Sequence, residues 1–305
     1  MTRIGFYPGC SLSGTAIEYR KSLTAIAPLL GIELVEVPDW NCCGASSAHA
    51  VNRKLSLALP ARVQAIAERE GLDRILTPCA ACYNRMITTH VEAAENESLK
   101  QEISAIIEMP FSAETKPVSI LEFLSELGSE KIKSLVKKPL EELKVACYYG
   151  CLLLRPPKII KFDDPEAPQS MEKVVEAIGA QPIEWAFKTE CCGVGFTVHN
   201  KEVVLNLTEK ILTNAKLEGA QVLSVGCTLC HANLDWRQLD LLKTSDKDIK
   251  MPVLYITELL GIALGLTPEE VGLPDHFIDT SAITEPPEII EPPAVTEPSA
   301  VTEGD

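Results

Sequence analysis

The sequence predicts an α/β protein of two tandem repeated domains, each a small parallel sheet flanked by helices, with an acidic proline-rich tail behind them. Three observations carry that prediction. Strand-like and helix-like segments alternate along the chain, as they do where right-handed crossovers cover a parallel sheet. The order strand, helix, strand, helix, strand occurs twice, with internal similarity between the passes. In each pass three strands run into turns that carry cysteine.

The first strands are "RIGFYPGC" (Arg3 to Cys10) and "KVACYYGC" (Lys144 to Cys151), short apolar runs ending in Gly-Cys. A helix follows each. In the first copy Ile17, Leu23, Ile26, Leu29 and Leu30 recur mostly at helical spacing and Gly31 supplies a stop. In the second, Val174, Val175 and Ile178 do the same before Gly179. Second strands, "IELVEV" and "PIEWAF", lead to the turns "PDWNCCGASS" and "KTECCGVGF". The next helices are "RKLSLALPARVQAIAEREG" and "KEVVLNLTEKILTNAKLEG", and Pro60 marks a kink or a restart in the first. Third strands, "RILTPC" and "VLSVGC", end on Cys-x-x-Cys. "KPVSILEFLSELG" and "MPVLYITELLGIALG" close the two copies.

These matches place one domain at residues 1–138 and a second at 139–272, joined near "KSLVKKP". Residues 273–305 form the tail. Its Glu-Pro units are too polar and too short of backbone donors to build a core, so an extended or disordered solvated segment is expected.

Composition narrows the partners. The chain has 305 residues and a formal net charge of −15, which argues against nucleic acid or an anionic membrane surface. No stretch reaches the ~18–20 apolar residues of a membrane span, and the start does not read as a secretory signal. A cytoplasmic location is the expectation. In a reducing compartment, eleven clustered cysteines point to metal ligands or catalytic thiols rather than disulfides.

Ten of them fall into two matched sets: Cys10, Cys42, Cys43, Cys79 and Cys82, then Cys151, Cys191, Cys192, Cys227 and Cys230. The first gap holds 31 residues in one copy and 39 in the other, and the second holds 35 and 34. Ligands of open α/β sheets bind at the carboxyl edge of the strands, so three strand ends should gather five thiols in each domain. Structural zinc takes four ligands, which five thiolates over-supply. A multi-iron cluster suits the set better, because neighbouring thiols can serve different irons. The fifth thiol is either a spare redox group or part of an unusual ligand count.

"FYPGCSL", "NCCG", "PCAACYNR", "YYGCLLLRPP" and "ECCG" together resemble the B subunit of heterodisulfide reductase over nearly all of residues 1–272. The resemblance implies two non-cubane 4Fe-4S clusters, each held by one of the five-cysteine sets. It implies reduction of the mixed disulfide of coenzyme M and coenzyme B, or an analogue, to two thiols. The implied electron donors are a ferredoxin-type protein, like the family's cubane-cluster component, and behind it a flavin-bearing one. Two one-electron centres flanking a disulfide match its two-electron reduction. The alternative is a cluster-bearing electron-transfer component of another anaerobic oxidoreductase, since such domains recur in quinone-linked and organic-acid-oxidising complexes. A non-catalytic metal scaffold would not need both sets.

Weaker signals remain. Cys147 aligns with Phe6 inside a strand and reads as core, or as a residue that tunes the nearby site. His231, directly after Cys230, and His49 read as surface or satisfied core histidines before ligands. Arg155, Lys158 and Lys161 follow Cys151 and suit either an anionic substrate or a solvated loop. "GVGFTV" has two of the three glycines of a dinucleotide fingerprint and follows a cysteine turn, so it is set aside.

Overall fold

In the computed structural model, residues 1–45, 48–243 and 249–283 are described. The first repeat contains β1 (Thr2–Phe6), α1 (Gly9–Leu12), α2 (Ile17–Leu29), β2 (Ile32–Glu36), α3 (Ala48–Val51), α4 (Arg53–Arg69), β3 (Arg74–Leu76), α5 (Ala80–Glu95), α6 (Glu97–Ile107), β4 (Lys116–Val118), α7 (Ile120–Leu127) and α8 (Ser129–Leu135). The second contains β5 (Lys144–Tyr148), α9 (Ser170–Ala177), β6 (Gln181–Pro182), α10 (Lys201–Leu217), β7 (Val222–Val225), α11 (Thr228–His231), α12 (Gln238–Leu241), β8 (Val253–Tyr255), α13 (Ile256–Ala263) and α14 (Pro268–Val271).

Two four-stranded sheets result, ordered β2-β1-β3-β4 and β6-β5-β7-β8, and every pairing is parallel. The two-repeat α/β architecture expected from the sequence is therefore present. Strands buried on both faces read as apolar runs; Ile4, Phe6, Val145, Ala146, Cys147, Val222 and Leu223 are all inside. Matched helices start in matched ways. Asn52 accepts from the Leu55 N–H (3.1 Å) at the head of α4, and Asn200 accepts from the Val203 N–H (3.3 Å) at the head of α10, each satisfying a donor that the first turn leaves free.

Two elements differ from the sequence reading. The expected strand "PIEWAF" shrinks to Gln181–Pro182. Pro182 has no N–H for a ladder, and Trp185 turns inward so that its indole N–H donates to the Cys147 carbonyl (3.0 Å). The helix around Pro60 continues unbroken through α4, with Gln64 Nε2 donating to the Pro60 carbonyl (3.4 Å) and the Met86 carbonyl (3.2 Å).

The repeats share one interior. The closing helix of each covers the first helix of the other: α13 packs on α2, and α7 packs on α9. Leu23, Ile26, Leu121, Leu124, Met171, Val174, Leu259 and Leu260 belong to one continuous apolar core. Inside it the hydroxyls of Ser22 and Thr257 pair at 2.7 Å, and at its edge the backbone N–H groups of the exposed Lys137 and Lys138 donate to the Ala263 carbonyl (2.9 Å each). Of the segment expected as tail, residues 273–283 pack back on the body: Leu273, Ile278 and Ile283 are buried, and Lys21 pairs with Asp275 at 2.6 Å. Residues 284–305 lie outside the described residues.

Gly261 shows how close the seam is. A Cβ there would lie 2.4 Å from Val271 Cγ1 and 3.3 Å from Ile26 Cγ2. Val271 is stiff at χ1 and has little room to yield. Gly261→Ala should therefore destabilise the protein by about 1–3 kcal/mol through overpacking. Anaerobic urea unfolding checks this, and an unchanged midpoint would contradict the packing described.

Candidate metal centre

All ten paired cysteines lie past the carboxyl ends of strands. Cys10 follows β1 and Cys151 follows β5; Cys42–Cys43 and Cys191–Cys192 lie in the loops after β2 and β6. Cys79 and Cys227 cap the helices after β3 and β7, one turn ahead of Cys82 and Cys230. Each is a free thiol.

The adjacent cysteines face different partners. Cys42 lies beside Cys10, whereas Cys43 Sγ donates to Cys82 Sγ at 3.0 Å. In the second repeat Cys191 lies beside Cys151, and Cys192 beside Cys230. The two sets then meet, because Cys79 lies close enough to both Cys82 and Cys227 to shift their acidities, and Cys227 likewise to Cys230. A continuous run Cys43–Cys82–Cys79–Cys227–Cys230–Cys192 crosses from one repeat to the other. Its six members are buried, while Cys10, Cys42 and Cys191 are exposed and Cys151 is half-buried. Each set thus has a wet rim of two thiols and a dry floor of three.

Shared protons split the acidities. The hydrogen bond from Cys151 draws the Cys191 thiol down to about 6. Likewise Cys82 lowers Cys43, and Cys230 lowers Cys192. Cys79 is held well below the usual thiol range, first by its bond with Cys227 and then by Cys82. Its partner Cys227 is eased by Cys230, but the bond with Cys79 and burial outweigh this and raise it to about 12. Thiolate is the metal-binding form; Cys43, Cys79, Cys191 and Cys192 reach it most readily, while burial and the shared protons raise Cys82, Cys151 and Cys230.

The glycine of each Cys-Cys-Gly turn has a physical reason. Gly44 and Gly193 have φ of +74° and +76°, in the left-handed region. A Cβ would also lie 2.8 Å from Leu59 Cδ1 or Leu207 Cδ1 respectively. In that conformation the Gly44 N–H donates to Cys42 Sγ (3.4 Å) and the Gly193 N–H to Cys191 Sγ (3.3 Å). The "GVGFTV" run is thus part of this turn, continuing into a short 3-10 turn at Val194–Phe196.

Several supports escaped the sequence reading. Tyr7 and Tyr148 occupy matched positions, and each hydroxyl donates to the carbonyl just before a cysteine pair: Asn41 (2.9 Å) and Glu190 (2.7 Å). Their repetition in "FYPGC" and "CYYGC" was the available signal. Asn84 on α5 reaches across the repeats to the Leu152 (3.2 Å) and Arg155 (2.7 Å) carbonyls beyond Cys151. Beneath that turn, Lys188 Nζ pairs with Glu172 (2.8 Å), Glu172 accepts from the Tyr149 hydroxyl, and the Lys188 carbonyl accepts from Tyr149 N–H (2.8 Å).

The weaker candidates divide. His231 is buried, stacked on Tyr255, with Nε2 at 3.0 Å from the Val253 carbonyl. The side chain of His49 lies outside the described residues. Arg155 is engaged by Glu166 (3.1 Å to each oxygen) and the Pro165 carbonyl (3.3 Å), while Lys158 and Lys161 are exposed. No helix among the described residues is long and apolar enough to cross a membrane.

The cysteine-rich domain model, CCG, matches residues 4–87 and 145–235. The chain belongs to the CCG family. It is 37% identical over 281 residues, covering 91% of this chain and 98% of its relative, to the 8-methylmenaquinol:fumarate reductase membrane anchor subunit of Wolinella succinogenes. It is 31% identical over 285 residues, covering 91% and 94%, to the B subunit of the ferredoxin/F420H2-dependent CoB-CoM heterodisulfide reductase of Methanosarcina acetivorans. The B subunit of the Methanosarcina mazei ferredoxin:CoB-CoM heterodisulfide reductase is 29% identical, at 91% and 94% coverage. A solved hypothetical protein from Helicobacter pylori superposes with a TM-score of 0.75 at 13% identity, covering 91% of this chain and 52% of its own length, which is a likeness of fold.

The CCG family and the soft all-thiol donor sets together point to iron–sulfur clusters. Cys147 stands apart from them: it is fully buried in β5 and burial pushes its thiol well up. Cys147→Ala should cost about 1 kcal/mol, as for loss of one small buried group, and leave the iron content unchanged. Iron analysis checks this; a loss equal to that in Cys192→Ala would contradict it.

Proposed function

We propose that this chain is the catalytic iron–sulfur subunit of a heterodisulfide reductase-type complex. Cys10, Cys42, Cys43, Cys79 and Cys82 hold one non-cubane 4Fe-4S cluster, and Cys151, Cys191, Cys192, Cys227 and Cys230 hold the other. The observation that carries this reading is the thiol contact between Cys79 and Cys227, which brings the two sets together at the seam between the repeats.

Clusters bound there would supply two one-electron carriers side by side, the number that a disulfide needs on its way to two thiols. The protein's own groups keep that arrangement. Tyr7 and Tyr148 fix the Cys-Cys-Gly turns, Asn84 ties the Cys79–Cys82 helix to the Cys151 turn, and the α2–α13 and α7–α9 contacts hold the two edges together. The exposed thiols Cys10, Cys42 and Cys191 mark the face where acceptor and partner approach. Electrons reach it from ferredoxin-type and flavin-bearing partners in the cytoplasm; the ferredoxin in the names of two heterodisulfide reductase relatives supports the first of these.

A specific observation favours a second reading. Identity is higher to the quinol:fumarate reductase protein, and Arg155, the first cation after Cys151, is already engaged by Glu166. In that reading the same two centres pass electrons within a quinol-linked complex.

Anaerobically purified protein should carry about eight irons per chain, four for each cluster. Cys43→Ala and Cys192→Ala should each remove close to half of that iron, and iron near zero in the wild type would reject the assignment. With reduced viologen, the isolated chain should cleave the coenzyme M–coenzyme B disulfide or a simpler mixed disulfide. Full clusters without turnover on any disulfide, together with reoxidation or reduction by a menaquinone analogue in complex with partners, would decide for the quinol-linked reading.

A further inference from the structure

Behind the second thiol set, five ionisable side chains meet in a dry compartment: Glu18, His231, Asp235, Glu258 and His276. They come from α2, α11, the turn after α11, α13 and the segment beyond α14. His276 lies past the residues that the CCG model matches.

Their spacing is that of a coordination site. His231 Nε2 lies 3.1 Å from His276 Nδ1 and 3.0 Å from the Val253 carbonyl oxygen. Ligand atoms of His231, Asp235 and His276 all lie within 4.8 Å of one another. Zinc bonds of ~2.0–2.1 Å in a tetrahedron put ligand atoms ~3.3 Å apart. Both distances from His231 Nε2 are close to that edge, and Asp235 offers a further donor within 4.8 Å of both nitrogens.

The outer nitrogens fit the same reading. His276 Nε2 lies 2.9 Å from Glu258 Oε1, and Glu18 Oε1 lies near His231 Nδ1, at 3.7 Å. A carboxylate hydrogen-bonded to the remote nitrogen of a ligating histidine, as Glu258 is to His276, holds a proton there and orients the ring for a metal at the inner nitrogen. The inner nitrogens, His231 Nε2 and His276 Nδ1, face each other across 3.1 Å, close enough for one cation to take both once their protons have left.

We propose that His231, Asp235 and His276, with the Val253 carbonyl, bind one zinc ion separate from the thiol sets. Imidazole donors disfavour magnesium and calcium as occupants, and nitrogen and carboxylate donors of this kind are ones that zinc takes. The ion clasps residues 273–283 onto the second repeat, where Asp235 already accepts from the Phe277 (2.9 Å) and Ile278 (3.3 Å) N–H groups. It does so directly beside Cys230, so the clasp also anchors α11.

The test measures zinc and iron together, by mass spectrometry of the full chain purified anaerobically from zinc-containing medium. The wild type should hold about one zinc per chain, and His276→Ala should lose at least nine-tenths of it with iron unchanged. Retained iron shows that the variant has folded. If His276→Ala loses both metals, His276→Cys decides: it restores a zinc donor and should recover both. Wild-type protein without zinc, zinc that persists in both His276→Ala and Asp235→Asn, or a His276→Cys variant with iron but no zinc would overturn the proposal.

Discussion

The contact between Cys79 and Cys227 is the constraint on which the rest of the structure depends. Two parallel sheets, each gathering five thiols at its carboxyl edge, make two separate sites unless those edges are held face to face. Crossed packing does this: each repeat lends its closing helix to cover the other's first helix, α13 on α2 and α7 on α9. The apolar residues of these four helices form one core, so the distance between the thiol sets is set by close packing rather than by a flexible linker. At Gly261 the seam leaves no room for a methyl group.

The site repeats that logic at atomic scale. Adjacent cysteines on one turn point to different partners because glycine in the left-handed region follows them and a tyrosine hydroxyl holds the carbonyl before them. One thiol of each pair then lies at the wet rim and the other on the dry floor. This gradation gives each set an accessible side and a protected side. It suits centres that exchange electrons with an acceptor while sharing a buried boundary.

Much of this is legible in the amino-acid sequence. The duplication, the parallel sheets and the placing of cysteines after strands follow from short-range patterns: apolar runs, glycine stops and Cys-Cys-Gly turns at matched intervals. Other features depend on contacts between distant segments and leave no local pattern. "PIEWAF" has strand-like composition, yet Trp185 bonds to Cys147 and takes the chain out of the ladder. Leu273, Ile278 and Ile283 sit at the start of a polar segment, too few to announce packing. His231 has no histidine or carboxylate beside it in a ligand motif of the sequence, and only folding brings it to Glu18 and His276, and His276 to Glu258.

The central claim is that two iron–sulfur centres lie side by side at the seam of the repeats. Electron paramagnetic resonance of the anaerobic protein, titrated from one to two electrons per chain, tests it most directly. Adjacent centres predict a signal that broadens or splits through spin–spin interaction as the second electron enters, and that narrows to a single uncoupled signal in Cys43→Ala. Two signals that simply add, with line shapes independent of the second electron, would contradict the account.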